Sequence, residues 1–250
     1  MVALLPGNPH ELLVLDSEED CPYLRGQRAR LPMRMPIRPL KAEETDARFA
    51  EGSRRHGVFL YRPTCSRCQA CEAIRVDVDR FVPGRTHRRI LRRNDALFRV
   101  EVGRPAVCST RLELYEKHRY GRDLVGELRP RITARIYRDF LVESCVDSYE
   151  VRLILQGTLI GVSIVDRAAR SLSAVYCYFD PQHERLSPGT YAILKEIELC
   201  RRWDLQHLYL GLYIAENRHM SYKGRFVPHE RLVDGKWRSH HELPPVPREG

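Results

Sequence analysis

Three cysteines at two-residue spacing, Cys65-Ser-Arg-Cys68-Gln-Ala-Cys71, narrow most sharply what this chain can build. Soft thiolate ligands so placed can clamp a metal ion or an iron–sulfur cluster. A second unusual stretch follows, Gly84-Arg-Thr-His-Arg-Arg-Ile-Leu-Arg-Arg-Asn94, with arginines dense enough to neutralise a phosphate backbone. Few protein classes need both side by side, and most of those handle nucleic acid. A net charge of +9 over 250 residues points the same way, toward a polyanionic partner. A basic but otherwise ordinary enzyme is the plainer alternative.

The length allows one large domain or two small ones, and 43% hydrophobic residues can fill a core. Residues Met1 to Leu15 carry Pro6, Gly7 and Pro9 and no basic start, so no secretory leader is expected there. No window reaches the apolar length of a membrane span, and no membrane partner is expected. Eight cysteines without a leader then read as thiols or metal ligands in a reducing cytoplasm.

Residues 23 to 40 are rich in Arg and Pro and read as extended. The alternation of Ile74, Val76 and Val78 predicts a half-buried strand after the cysteines. Arg85, Arg88, Arg89, Arg92 and Arg93 recur at spacings of three and four, which places them on one helical face. Further helices are expected over 111–119 and along the stripe Ile132, Ile136, Tyr137, Phe140 and Leu141. Residues 149–156 and 159–166 read as a hairpin about Gly157-Thr158, and 172–179 as a third strand. A loop through Leu186-Ser-Pro-Gly-Thr190 then feeds a helix to Trp203. A strand over 207–214, a short helix near His219 and a strand over 226–233 complete the order.

The expected fold class is therefore α+β. Its C-terminal part, residues 83–240, reads as an acetyltransferase-like (GNAT-type) mixed sheet with flanking helices. A small Cys-containing α/β domain precedes it over residues 12–82, and 241–250 reads as a loose tail. In acetyltransferase-like folds a loop feeding a helix N-terminus holds the acyl donor, because free backbone N–H groups there face phosphate. Here that position lacks the Gly-x-Gly spacing usual for acetyl-CoA, so no CoA is expected.

The ordered set Cys21-Pro-Tyr-Leu, Arg54-Arg-His-Gly57, Tyr61-Arg-Pro63, the three cysteines, Arg88-Arg89, Tyr178-Phe-Asp-Pro181, Gly189-Thr-Tyr, Leu208-Tyr-Leu-Gly211 and Met220-Ser-Tyr-Lys-Gly-Arg-Phe226 resembles the bacterial aspartate/glutamate leucyltransferases. These are relatives of the arginyl-tRNA–protein transferases. The resemblance spans about residues 15 to 240. It implies transfer of an aminoacyl group, leucyl in the bacterial branch, from charged tRNA to proteins that begin with Asp or Glu, marking them for degradation by the N-end rule. It also implies that Cys21, Cys65, Cys68 and Cys71 ligate zinc or an iron–sulfur cluster. The chain departs from the pattern at Leu186-Ser-Pro-Gly-Thr190 and at Asn217-Arg-His-Met220.

The chemistry so implied is aminolysis of an ester. An α-amine with a pKa near 7.7–8.0 is already partly neutral at cytoplasmic pH, so positioning, an oxyanion donor and one proton relay suffice. Tyr222 and Lys223 are the catalytic candidates for either task, alongside backbone N–H groups around Gly189. Tyr222 as packing and Lys223 as a phosphate contact is an even alternative. An acidic acceptor calls for bidentate arginine, with Arg62, Arg75 and Arg225 as candidates; pairing with structural carboxylates is the competing role. Arg85, Arg88, Arg89, Arg92 and Arg93, with Gly189 and Thr190, are the expected tRNA contacts. An arginyl-tRNA donor, a CoA-dependent N-acetyltransferase and a non-catalytic metal-stapled RNA-binding protein are the rival readings.

Overall fold

The computed structural model describes residues 3–124 and 131–243. The N-terminal lobe runs β1 (Ala3–Leu5), β2 (Glu11–Leu15), β3 (Glu18–Asp20), β4 (Arg28–Arg30), β5 (Met33–Pro36), α1 (Ala42–Ala50), β6 (Arg54–His56) and β7 (Phe59–Tyr61). Its main sheet has the order β1-β2-β5-β7-β6, and β3 with β4 forms a separate ribbon. Next come β8 (Glu72–Asp77), α2 (Arg85–Asp95), β9 (Phe98–Gly103), α3 (Ser109–Gly121) and α4 (Ala134–Tyr137). The rest comprises β10 (Asp147–Leu155), β11 (Thr158–Arg167), β12 (Ser171–Phe179), α5 (Pro188–Arg202), β13 (His207–Tyr213), α6 (Arg218–Ser221), β14 (His229–Val233) and β15 (Lys236–His240).

Eight of these strands make one mixed sheet in the order β15-β14-β8-β13-β12-β11-β10-β9. The α+β class and the mixed sheet agree with the expectation from the residue pattern. Strands β9 to β12 form an antiparallel meander, α5 crosses over, and β13 returns parallel to β12. One face carries α2 and α5, whose Ile90, Tyr191, Leu194 and Ile197 pack on Ile74, Val76, Val151 and Leu208. The other carries α3 and α4, where Leu114, Tyr115 and Tyr137 cover Val162, Ile164 and Tyr178. Helix α1 joins that second face, with Phe49 packed on Tyr209.

Two expectations need correction. The boundary drawn at residue 82 falls after β8, yet β8 lies inside the large sheet, hydrogen-bonded to β13 on one side and β14 on the other. Its apolar Ile74 and Val76 are completed by α5 and β13 rather than by the residues preceding them. The cysteine segment is thus a connection into the large sheet. Nor is 132–144 one helix: α4 has four residues and passes into a wide turn closed by Glu143 N–H to the Arg138 carbonyl. Thr133 sets the start by accepting from the Ile136 N–H, and Ile136 itself faces solvent. Of the expected tail, residues 244–250 lie outside the described residues.

The lobe is fastened to the sheet by a buried ion pair. Arg55 of β6 donates through Nε to Asp166 Oδ2 of β11 at 2.7 Å, both side chains being wholly enclosed. Its Nη1 also donates to the carbonyls of Gly57 and Glu143, and Asp166 Oδ1 accepts from Ser148. Removing one partner strands the other charge in a water-free site. Asp166→Ala is expected to cost about 3–5 kcal/mol of unfolding free energy, measured by urea denaturation followed by circular dichroism.

Candidate functional site

The parallel strands β12 and β13 pair only from Ser171–Ser173 to His207–Tyr209. Beyond that both are irregular. Val175 is skipped in the β11–β12 register and Leu210 in the β13–β8 register, so each strand bends away from the other. The result is a wedge between their C-terminal halves. Arg54 of β6 reaches into it, donating from Nη2 to the Val175 carbonyl at 3.3 Å. Its other tip nitrogen, Nη1, lies against Gly211, where an added Cβ would come within 1.4 Å. Gly211 has φ +85°, the left-handed region where glycine is least costly. Nη1 is buried and finds no hydrogen-bond acceptor among the described residues.

The Tyr-Lys segment closes this wedge as a short 3-10 turn over Tyr222–Arg225. Lys223 is 8% exposed and donates from Nζ to the Leu212 carbonyl of β13 at 2.8 Å. Met220 Sδ lies 3.2 Å from the same nitrogen. Burial, aided by the Arg54 charge, holds the Lys223 ammonium well below its ordinary pKa. No carboxylate among the described residues offsets this, so burial acts against the charged form. Tyr222 keeps part of its surface open, yet protein surrounds it closely; burial and then the neighbouring Cys177 and Glu196 push its phenol up. It remains an O–H donor throughout the physiological range.

The basic helix borders this centre. On its inner face, His87 stacks on Phe226 with ring centroids 4.8 Å apart, and Asn94 Nδ2 donates to the Leu186 carbonyl at 2.8 Å. Arg85, Arg88, Arg89, Arg92 and Arg93 all point outward. Arg88 donates to the Pro83 carbonyl and Arg93 to Asn94, but among the described residues none of the five pairs with a carboxylate. Through Leu186 the helix also touches the loop that starts α5. There Ser187 is left-handed, and the first intrahelical bond is Tyr191 N–H to the Ser187 carbonyl. The N–H groups of Gly189 and Thr190 precede it and carry no intrahelical partner.

Arg62, Arg75 and Arg225, the candidates for an acidic acceptor, are not brought together by any hydrogen bond or ion pair among the described residues. Arg75 is occupied: its Nε donates to Glu230 at 2.7 Å, Nη1 to the Tyr209 hydroxyl at 3.1 Å, and its guanidinium lies 4.2 Å from the Trp237 ring centre. That is the structural-carboxylate role. Arg62 is exposed and donates to the Glu51 carbonyl at 3.0 Å. Arg225 is exposed beside the wedge-closing turn.

The four cysteines do converge. Cys21, Cys65, Cys68 and Cys71 line one cavity of about 310 Å³ with Tyr23, Asp234 and neighbours. Burial and the other three sulfurs push the Cys71 thiol up to about 12. The Arg30 N–H lies 3.5 Å from Cys65 Sγ. The donor set suits a thiophilic metal, although among the described residues no three His, Cys, Asp or Glu side chains already stand at ligand spacing.

Chemistry-bearing residues outside the candidate set are Arg54, Tyr23, Tyr61 and Glu196. Arg54, Tyr23 and Tyr61 interact electrostatically, and Tyr23 also lines the cysteine cavity. Arg54, Tyr61 and Gly211 lie inside the short segments that carry the family resemblance, so the sequence did hold that signal. Nothing in the local pattern marks Glu196, which looks like one acid on an ordinary amphipathic helix.

The splayed strands bring a buried lysine and a tyrosine together beside a helix whose outward arginines pair with no carboxylate among the described residues, an arrangement compatible with group transfer from a polyanionic donor. The N-terminal model of the arginine-tRNA-protein transferases matches residues 19–89 and the C-terminal model residues 110–233. The aspartate/glutamate leucyltransferase of Thiobacillus denitrificans is 40% identical over 90% of this chain and 93% of its own. That of Marinobacter nauticus is 40% identical over 88% and 92%. A fainter likeness to L-PGS from Bacillus licheniformis, TM-score 0.42 at 14% identity over 74% of this chain and 54% of the other, adds nothing to the assignment. The chain belongs to the arginine-tRNA-protein transferase family and is an aminoacyltransferase.

Gly211→Ala tests the strut between the two strands. A Cβ there displaces the Arg54 tip and places a side chain at positive φ, at a cost of about 1–2 kcal/mol. Turnover is expected to fall about tenfold or more in steady-state assays while circular dichroism keeps the wild-type sheet signal.

Proposed function

We infer that this enzyme moves leucine from leucyl-tRNA to the α-amine of proteins beginning with Asp or Glu, marking them for degradation. The observation that carries the reading is Lys223, a buried amine with no carboxylate partner among the described residues, set beside Tyr222 and next to the uncompensated arginine face. The donor amino acid rests on the curated relatives, which are named leucyltransferases, and this favours leucyl over arginyl. Family membership leaves the acetyl-CoA and non-catalytic readings without support.

In the mechanism we propose, the five arginines of α2 hold donor phosphates, and the Gly189 and Thr190 N–H groups face the 3′ end. The ester carbonyl lies in the wedge. The neutral acceptor amine attacks it, the C–N bond forms, and Tyr222 donates to the oxyanion. Lys223 takes a proton from the attacking nitrogen and returns it to the 3′ oxygen as the C–O bond breaks. Arg62 and Arg225 remain candidates for the acceptor carboxylate; Arg75 is held by Glu230, Tyr209 and the Trp237 ring.

Cys21, Cys65, Cys68 and Cys71 are the residues that would hold zinc or an iron–sulfur cluster, as a staple for the lobe rather than as a reactant. Elemental analysis is expected to find metal in the wild-type chain and a loss of at least half of it in Cys68→Ser. All eight cysteines are free. Among the described residues no helix is long and apolar enough to cross a membrane. Free thiols suit a reducing compartment, and we place the protein in the cytoplasm.

The test is transfer of labelled leucine from charged tRNA to peptides that differ only in their first residue. Incorporation is expected with Asp and Glu starts and not with Ala. Reversing Arg88, Arg89, Arg92 and Arg93 to Glu is expected to abolish it and to lower the salt dependence of tRNA binding, by about 0.7–0.9 in the log–log slope for each phosphate no longer neutralised. Equal labelling of Ala starts, or full activity of the reversed chain, overturns the reading.

A further inference from the structure

Glu196 lies on the inner face of α5 and is completely enclosed. An isolated carboxylate in such a place costs several kcal/mol, so a glutamate there needs a reason. Ser163 of β11 donates to its Oε1 at 2.5 Å. Its Oε2 is buried and has no hydrogen-bond partner among the described residues. The titratable groups that face it are Cys177 from β12, Cys200 one turn further along α5, and Tyr222 from the turn that closes the wedge. Among the described residues no cation acts on it; Arg54 and Arg122 act on Tyr222 instead. Burial raises its carboxyl to about 7, with the Ser163 bond pulling the other way.

Below neutrality this carboxyl is uncharged, and the wall behind Tyr222 is neutral. Above neutrality it becomes a buried negative charge that, among the described residues, only the Ser163 bond offsets. The transfer reaction develops a second negative charge, the oxyanion, in front of the same tyrosine. Two like charges across one ring in a water-poor site oppose each other strongly.

Resting on the leucyl-transfer reading above, we propose that Glu196 is a positioning residue of the reaction: protonated, it leaves Tyr222 free to stabilise the oxyanion, and ionised, it opposes that oxyanion. The sign follows from the direction of the shift. The folded carboxyl holds its proton further up the pH scale than an exposed one, so the competent form persists to about neutral and is lost above it. This adds a falling limb to a profile whose rising limb comes from the acceptor amine.

The experiment compares pH profiles of leucine transfer for the wild-type chain, Glu196→Gln and Ser163→Ala. Glutamine keeps an acceptor for Ser163 and cannot ionise. At pH 6.5 its kcat is expected within about twofold of wild type, and its ratio to wild type is expected to rise about fivefold or more by pH 8.5. KM for the charged tRNA should not change. Ser163→Ala removes the bond that favours the ionised form, so its falling limb should move to higher pH. Should Glu196→Gln fail to fold, this second variant still decides. Profiles that superimpose after scaling, or an unshifted limb in Ser163→Ala, overturn the proposal. A wild-type chain that transfers no leucine at any pH instead overturns the activity reading, and this role with it.

Discussion

The wedge between β12 and β13 exists because Arg54 occupies the place where two parallel strands stop bonding to each other. Diverging strands leave backbone carbonyls and N–H groups without ladder partners, and in a buried setting each costs free energy comparable to a missing hydrogen bond. Arg54 meets one of them by donating to Val175 and fills the gap with a planar, always charged group. Its own position is fixed from behind, since Arg55, the next residue, is tied to Asp166. The absence of a side chain at Gly211 is what admits the guanidinium. The opening between the strands thus depends on the junction of the lobe with the sheet.

Much of this was legible residue by residue. The five-arginine face of α2, the hairpin of β10 and β11, whose turn falls at Gln156-Gly157, one residue before the expected Gly157-Thr158, and the crossover α5 follow from periodicity and turn chemistry, which are local. What escaped is non-local. Nothing near β8 announces that it will lie between β13 and β14, because its partners arrive more than 130 residues later. Arg75 looked like a free cation for the same reason: Glu230, which takes it, is 155 residues away. The broken helix at 134–142 misled in another way. Only part of its apolar stripe faces the core: Thr133 starts the helix late and the wide turn lets Tyr137 and Leu141 both bury fully, while Ile136 is left in solvent.

The candidate site divided along the same line. Lys223 and Tyr222 were named from chemistry and a short motif, and the structure adds that protein closely surrounds both. A sequence holds the identity of a lysine but not its dielectric surroundings. Glu196 is the sharper case, because an acid on an amphipathic helix reads as solvent-facing until the helix is seen to be covered on that side.

Charge in this protein is sorted by depth, and the sorting fits the chemistry. The outer arginines of α2 act over a Debye length of about 8 Å at physiological ionic strength and suit a large, flexible polyanion. Such charges gather a donor but cannot discriminate the reacting atom. Inside the wedge the order is reversed: burial works against the Lys223 charge, Tyr222 is held protonated, and Arg54 is committed to a carbonyl. A fully charged lysine there would repel the acceptor's ammonium form and could accept no proton from its neutral one. Desolvation removes both faults at once, because the burial that lowers the amine's proton affinity also keeps water from competing for the ester. Enclosure is thus the largest influence on both groups, and opening the wedge to solvent would move them back toward their ordinary charges.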